Sequence, residues 1–352
     1  MRRTLIFWLA VLTVVLGVRP RAQNIVFDLL SGYVESLRVQ AGIPGIATAV
    51  VGTDAILWEH AYGRQDLGRS MATRTDTLFH VDGLTEMFTA TMVLRCAEER
   101  RLSLDDRVGQ FVATTPEPNA TIRQVLTHTS GPPSGLTFSF RPERLAPLWP
   151  AIRACTENSF RETLANLLHR LAMMDSVPGV DVVRLQPPDE GIPDPADLDR
   201  YENVLGRLAL PYAVDARGRA LVSQYEMTTL SPSDGLVSTV RDIANFQLAL
   251  QQGLLIQKDT LDAAWRATAG STGELLPHGI GWFVQSFNGE KVVWQFGEQD
   301  NASSALVVTL PARGLTLIMM ANSDRLVKPL PLAAGDVSVS PFARVFLSLF
   351  AK

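Results

Sequence analysis

The period of the apolar residues changes twice along this chain, and that change restricts its fold more than any other feature. Near the start, Ile46–Val51 and Ala55–Tyr62 read as strands around a Gly52-Thr53-Asp54 turn, the pattern of a β-hairpin. From Leu84 to about Trp265 the spacing is mainly helical, broken by Pro-rich loops. After Gly279 strands return at Ile280–Phe287, Val292–Phe296, Ser304–Leu310 and Leu315–Ala321, with Asn288-Gly289 as a tight turn between the first two. The expected fold is therefore α+β: an antiparallel sheet flanked by helices, built from both chain ends, with an inserted, mainly α-helical lobe.

The ends add helices. Leu29, Leu30, Tyr33, Val34 and Leu37 follow from Val26 at helical spacing until Gly42 and Pro44, and Pro341–Phe350 reads as a terminal apolar helix. In the middle, a helix is expected from Leu84 to about Arg100. Others begin at Thr121, at Ser159 with Glu162 completing a capping box, and at Ser238. Val177–Asp199, with five prolines, reads as a loop. These assignments place a sheet lobe at about 23–82 and 270–352 and a helical lobe at about 83–269, with a site expected in the cleft between them.

Residues 1–22 stand apart. Arg2 and Arg3 precede an apolar run from Leu5 to Val18, which Arg19-Pro20-Arg21-Ala22 interrupts. That length suits a signal peptide cleaved near Ala22, with an uncleaved membrane anchor as the alternative. The expected location is periplasmic or extracellular. All four ionisable residues of 1–22 are Arg, so their removal takes the net charge from −4 to −8. So acidic a chain is a poor partner for nucleic acid, and a membrane partner is expected only if residues 1–22 are retained. Cys96 and Cys155 both fall in segments read as helix; a disulfide and two buried thiols remain open alternatives.

Several segments carry a resemblance: Pro44-Gly45-Ile46 through Gly63, Thr77-Leu78-Phe79, Leu102-Ser103-Leu104-Asp105-Asp106, Leu126-Thr127-His128-Thr129-Ser130-Gly131, Gly235-Leu236-Val237-Ser238-Thr239 and Ala321-Asn322-Ser323. In this order they resemble the β-lactamase-related serine hydrolases, which include class C β-lactamases, D-alanyl-D-alanine carboxypeptidases and related esterases. The resemblance runs from about residue 25 to the end and implies a β-lactamase/transpeptidase-like fold. It also implies acyl transfer through a serine ester, with a Ser-x-x-Lys motif, a Tyr/Asn pair and a His or Lys on a strand.

The matching positions here differ. Gly83 stands for the nucleophile and Glu86 for the lysine; Phe140 and Pro142 stand for the Tyr/Asn pair, with Arg141 between them. Gln295-Phe296-Gly297 stands for His-x-Gly. Tyr201-Glu202-Asn203 is a rival for the second motif but lies too close to Gly235, and it reads better as part of a surface helix on which Tyr201 packs. The expectation is an inactive or severely impaired homologue whose cleft, formed by Gly83, Glu86, Phe140, Arg141, Gln295 and Gly297, binds a small molecule or a cell-wall peptide. The alternatives are an active hydrolase with another nucleophile and a membrane-anchored scaffold. Thr85, Ser130 and Ser139 are the nearby hydroxyls.

No cofactor is expected. His80, Asp82 and Glu86 are weighed as metal ligands and set aside, because Asp82 is expected to cap the following helix and no second His or Cys lies nearby in sequence. Glu86 and Arg141 are expected to face one another across the cleft as an ion pair, against the alternative that Arg141 points to solvent.

Overall fold

The computed structural model describes residues 19–131, 136–187, 189–226 and 229–351. Most of the expected leader lies outside the described residues. Helix α1 spans Arg19–Ala41 and thus begins within it.

The two ends of the chain meet in one sheet. Its strands are β1 (Gly45–Val51), β2 (Ile56–Asp66), β3 (Met71–Ala72), β4 (Phe283–Phe287), β5 (Glu290–Gln299), β6 (Ser303–Leu310) and β7 (Leu315–Ala321). Their order is β3-β2-β1-β7-β6-β5-β4, with every pair antiparallel. Pairing of Ile46 with Ala321 through Val51 with Thr316 joins the first strand to the last.

All seven residues of β1 are buried because both sheet faces are covered. Ile46 and Val50 pack with Phe27, Leu30 and Val34 of α1 and with Phe342 and Phe346 of α9 (Pro341–Phe350). Ala47, Ala49 and Val51 share the opposite core with Met87 and Phe88 of α2 (Thr85–Glu98). This alternation is the two-residue period of a strand expressed as two cores.

The intervening helices include α3 (Ile122–Leu126), α4 (Leu148–Thr156), α5 (Phe160–Arg170), α6 (Pro195–Leu205), α7 (Val240–Gln251) and α8 (Lys258–Ala264). Thr121 and Ser159 cap α3 and α5 in capping boxes with Gln124 and Glu162. A disulfide joins Cys96 of α2 to Cys155 of α4.

Several boundaries differ from expectation, and three have a clear local cause. Thr239, not Ser238, caps α7, because its side chain accepts the Asp242 amide while the Ser238 hydroxyl engages Ser176. The stretch read as a loop over 177–199 ends in α6, where Asp194 caps the helix and Pro195 occupies its first position, a place proline suits. The strand expected from Ile280 begins at Phe283, because the Ile280 and Gly281 amides bond to the carbonyls of Ala264 and Leu126.

Candidate functional site

The turn before α2 is held from two sides. Phe79–His80 pairs with Leu236–Ser238 in a small sheet, and the Val81 amide donates to the Leu236 carbonyl at 3.1 Å. Asp82–Leu84 then form a single 3-10 turn. On the other side lies β5. A Cβ on Gly83 would sit 2.5 Å from the Phe296 carbonyl oxygen, and one on Gly297 would land on the Val81 carbonyl oxygen. Neither glycine has a positive φ, so space rather than backbone conformation demands glycine at both positions.

Asp82 does not cap α2: no side chain caps this turn or the helix after it. Its carboxylate instead accepts the Ser303 hydroxyl at 2.8 Å, and its φ of 47° is left-handed. The Thr85 hydroxyl donates to the Asp82 carbonyl and accepts the Leu236 amide, so it holds the turn to the small sheet.

Glu86 is fully buried and turns away from His80 and Asp82. Its Oε1 accepts from Nε2 of His128 at 2.8 Å, and Nδ1 of His128 accepts the Arg141 amide at 3.1 Å. The expected Glu86–Arg141 ion pair is therefore absent. The Arg141 guanidinium is exposed beside Glu143 and Ser139, as the solvent-facing alternative held. Burial explains the outcome: the uncharged backbone amide of residue 141 reaches the interior through His128, while the guanidinium keeps its hydration.

Glu86, His128 and His278 bring three potential ligand atoms within 4.8 Å of one another. Their hydrogen bonds do not suit a metal ion. Because Nδ1 of His128 accepts an amide hydrogen, the ring's own proton is assigned to Nε2, the atom a cation would need. His278 donates Nδ1–H to the Gly279 carbonyl at 2.7 Å and leaves Nε2 unpartnered, as is Oε2 of Glu86.

The cleft itself, of about 610 Å³, lies between the lobes. Gly83, Phe140, Pro142 and Gly297 line it, as the sequence predicts for all but Pro142, which was placed in the motif but not in the cleft. Glu86 and Gln295, both expected there, are fully buried. The Gln295 Oε1 accepts the Phe296 amide at 3.0 Å and its Nε2 lacks a partner. Arg141 lines a neighbouring apolar groove with Val108, Val112 and Trp149 instead.

Five polar lining residues are not among those the sequence marks: Glu143, Ser231, Ser233, Asp234 and Glu298. Their signal was adjacency, since residues 231–234 run directly into Gly235-Leu236-Val237 and Glu298 follows Gly297. The Ser231 and Ser233 hydroxyls lie 3.4 Å apart, and an oxygen of Asp234 accepts the Gly235 amide. Ser130 lies in a separate surface hollow with Glu117 and Gln124. The Ser139 hydroxyl accepts from Arg141 Nε at 3.3 Å. Tyr201 is buried beside Arg161 and Asp197, away from this cleft, with the Arg200 guanidinium 4.4 Å from its ring centroid.

The charged side chains among the described lining residues, Glu143, Asp234 and Glu298, are all acids. Burial, and then the charge of Asp234, push the Asp82 carboxyl up to about 8, with the Ser303 hydrogen bond opposing. Burial also raises Asp234 and Glu298 above the usual carboxylate range. His80, whose ring centroid lies 4.3 Å from that of Tyr225 at a tilt of 32°, is lowered to about 4 by burial and stays neutral.

Residues 28–172 and 151–336 match the family described as Beta-lactamase. The chain belongs to the Beta-lactamase family. The expected α+β architecture and the superfamily resemblance both hold. Penicillin-binding protein 4* of Bacillus subtilis (strain 168) is 22% identical over 325 residues, which cover 82% of this Beta-lactamase-family chain and 70% of that protein. The octameric penicillin-binding protein homologue from Pyrococcus abyssi superposes with a TM-score of 0.71 at 18% identity, over 92% of this chain and 77% of the other. A class C beta lactamase from Rhodobacter sphaeroides gives 0.68 at 14% identity, over 92% and 99%. The two structural likenesses speak to the fold alone.

Proposed function

We propose that this chain is a catalytically inactive member of the Beta-lactamase family, exported to the periplasm or beyond, which uses its inherited cleft to bind a ligand or partner. One observation carries the reading. At the position where the resemblance expects the attacking hydroxyl there is only backbone, and the Phe296 carbonyl oxygen occupies the space a side chain would need.

The surroundings support it. Loss of a nucleophile costs on the order of a millionfold in turnover, since no other group forms the covalent intermediate. Glu86 supplies no cation, and His128 engages its carboxylate away from the cleft. Phe140 and Pro142 offer the cleft no side-chain donor or acceptor, and Gln295 is turned inward. Cell-wall peptides and small esters are candidate ligands by family analogy.

A second reading, hydrolysis through Ser231 or Ser233, draws on their place in the cleft beside Asp234. It is the weaker one. Neither hydroxyl is hydrogen-bonded to that carboxylate among the described residues, and the Ser231 and Asp234 amides are used on each other's carbonyls. The scaffold alternative depends on residues 1–22; among the described residues no helix is long and apolar enough to cross a membrane. N-terminal sequencing of exported material distinguishes cleavage from anchoring.

Incubation with a fluorophosphonate and with a penicillin, followed by intact-mass measurement, tests the main reading. No adduct is expected. A stoichiometric adduct overturns it.

A further inference from the structure

Among the described residues, the cleft wall contains carboxylates and aromatic rings but no basic side chain. Glu143, Asp234 and Glu298 line it, and Phe140 and Phe296 stand with ring centroids 5.4 Å apart. Cations outside the lining have acidic partners: Arg141 faces Glu143, Arg144 faces Glu117, and Lys328 pairs with Asp300 while also acting on Glu298.

An independent feature lies directly behind the wall. Asp82 is buried, and its Oδ1 has no hydrogen-bond partner. The charges of Asp234 and Glu298 both act on this carboxyl, and Lys328 acts in turn on Glu298, so the wall acids and the buried acid lie close enough to influence one another. Low-dielectric walls focus the potential of such acids into the opening between them.

We infer that the cleft binds an organic ammonium ion borne on an aromatic body, the charge meeting Asp234 and Glu298 and the ring meeting Phe140 and Phe296. This deepens the proposed function and rests on its reading of the cleft as a binding site. The physical grounds are sign and shape. A cation gains from the carboxylates and from the faces of the aromatic rings, while a carboxylate ligand meets like charge with no basic side chain among the described lining residues. Gly83 and the Phe296 carbonyl oxygen meet closely at one side of the cleft, and the acids and rings share the rest of the lining with Ser231 and Ser233.

The test compares two probes of nearly equal size and opposite charge, phenethylammonium and 3-phenylpropanoate, by calorimetry on the full chain. The ammonium is expected to bind saturably, about tenfold or more tighter than the propanoate, and to weaken as salt rises. Glu298→Gln and Asp234→Asn are each expected to weaken the ammonium about tenfold. Circular dichroism verifies that each variant keeps the fold. Equal or tighter binding of the propanoate overturns the inference, as does ammonium binding unchanged in both variants. Absence of saturable binding by the ammonium at millimolar concentration also overturns it. A covalent adduct in the acylation test sinks the inactive reading separately, because the charge preference is read from reversible binding.

Discussion

Glu86 and His128, both fully buried, share a 2.8 Å hydrogen bond, and the far nitrogen of the same ring accepts the Arg141 amide. The turn that carries Phe140-Arg141-Pro142 is thereby tied to α2 through a backbone group, so the identity of the residue-141 side chain matters little. Removing the histidine leaves a carboxylate sealed in the core without a donor. His128→Phe is expected to cost about 3 kcal/mol or more. Arg141→Ala should stay within about 0.5 kcal/mol. Urea unfolding of the two variants checks the contrast.

Restoring the family's nucleophile should not restore chemistry. Gly83→Ala and Gly83→Ser add the same Cβ against the Phe296 carbonyl, and each is expected to lose about 1–3 kcal/mol, by similar amounts. The double variant Gly83→Ser, Glu86→Lys is expected to form no adduct with a penicillin, since Phe140, Pro142 and Gln295 remain. Intact mass and chemical denaturation report the two outcomes. A stable, acylated double variant would contradict both.

Asp82 sets a pH dependence whose sign is opposite to that of most carboxylates. Its folded pKa of about 8 lies above the ordinary 3.8, so the folded state keeps a proton that the unfolded chain releases between those values. Its contribution to stability therefore falls as pH rises through that window and is lost above it. His80, lowered from 6.5 to about 4, acts the other way, with stability lost as pH falls through its window. Comparison with Asp82→Asn isolates the carboxyl. Asparagine also tolerates the left-handed φ at this position. The variant should gain on the parent at pH 9 and lose that gain toward pH 5, as measured by thermal unfolding across the range.

The bond between Cys96 and Cys155 spans 59 residues of sequence. Chain-entropy scaling gives such a cross-link about 4 kcal/mol. The Cys96→Ala, Cys155→Ala double variant should unfold at correspondingly lower denaturant concentration. Reduction of the parent should reproduce the shift, while the variant should ignore the reductant.

Much of the architecture was legible because periodicity reports burial. The strand-like apolar run Ile46–Val51 and the capping pattern Ser159…Glu162 translate directly into β1 and the start of α5. Boundaries were less secure where single hydrogen bonds choose between adjacent residues, as at Ser238 and Thr239. Within the site, the missing side chain at Gly83 could be read from the sequence. The acids at 143, 234 and 298 adjoin motif residues, but nothing in their local spacing says that their side chains converge on one hollow.

The amino-acid sequence alone determined the family resemblance, the sheet built from both chain ends and the residue types at the motif positions. These depend on local periodicity and on side-chain chemistry, which are properties of short segments. Only the tertiary structure decided that Glu86 pairs with His128 rather than Arg141 and that Phe296 fills the space above Gly83. The physical reason is that both outcomes depend on distances of a few ångströms between segments far apart in the chain, and those distances are set by packing the whole sheet against the helices.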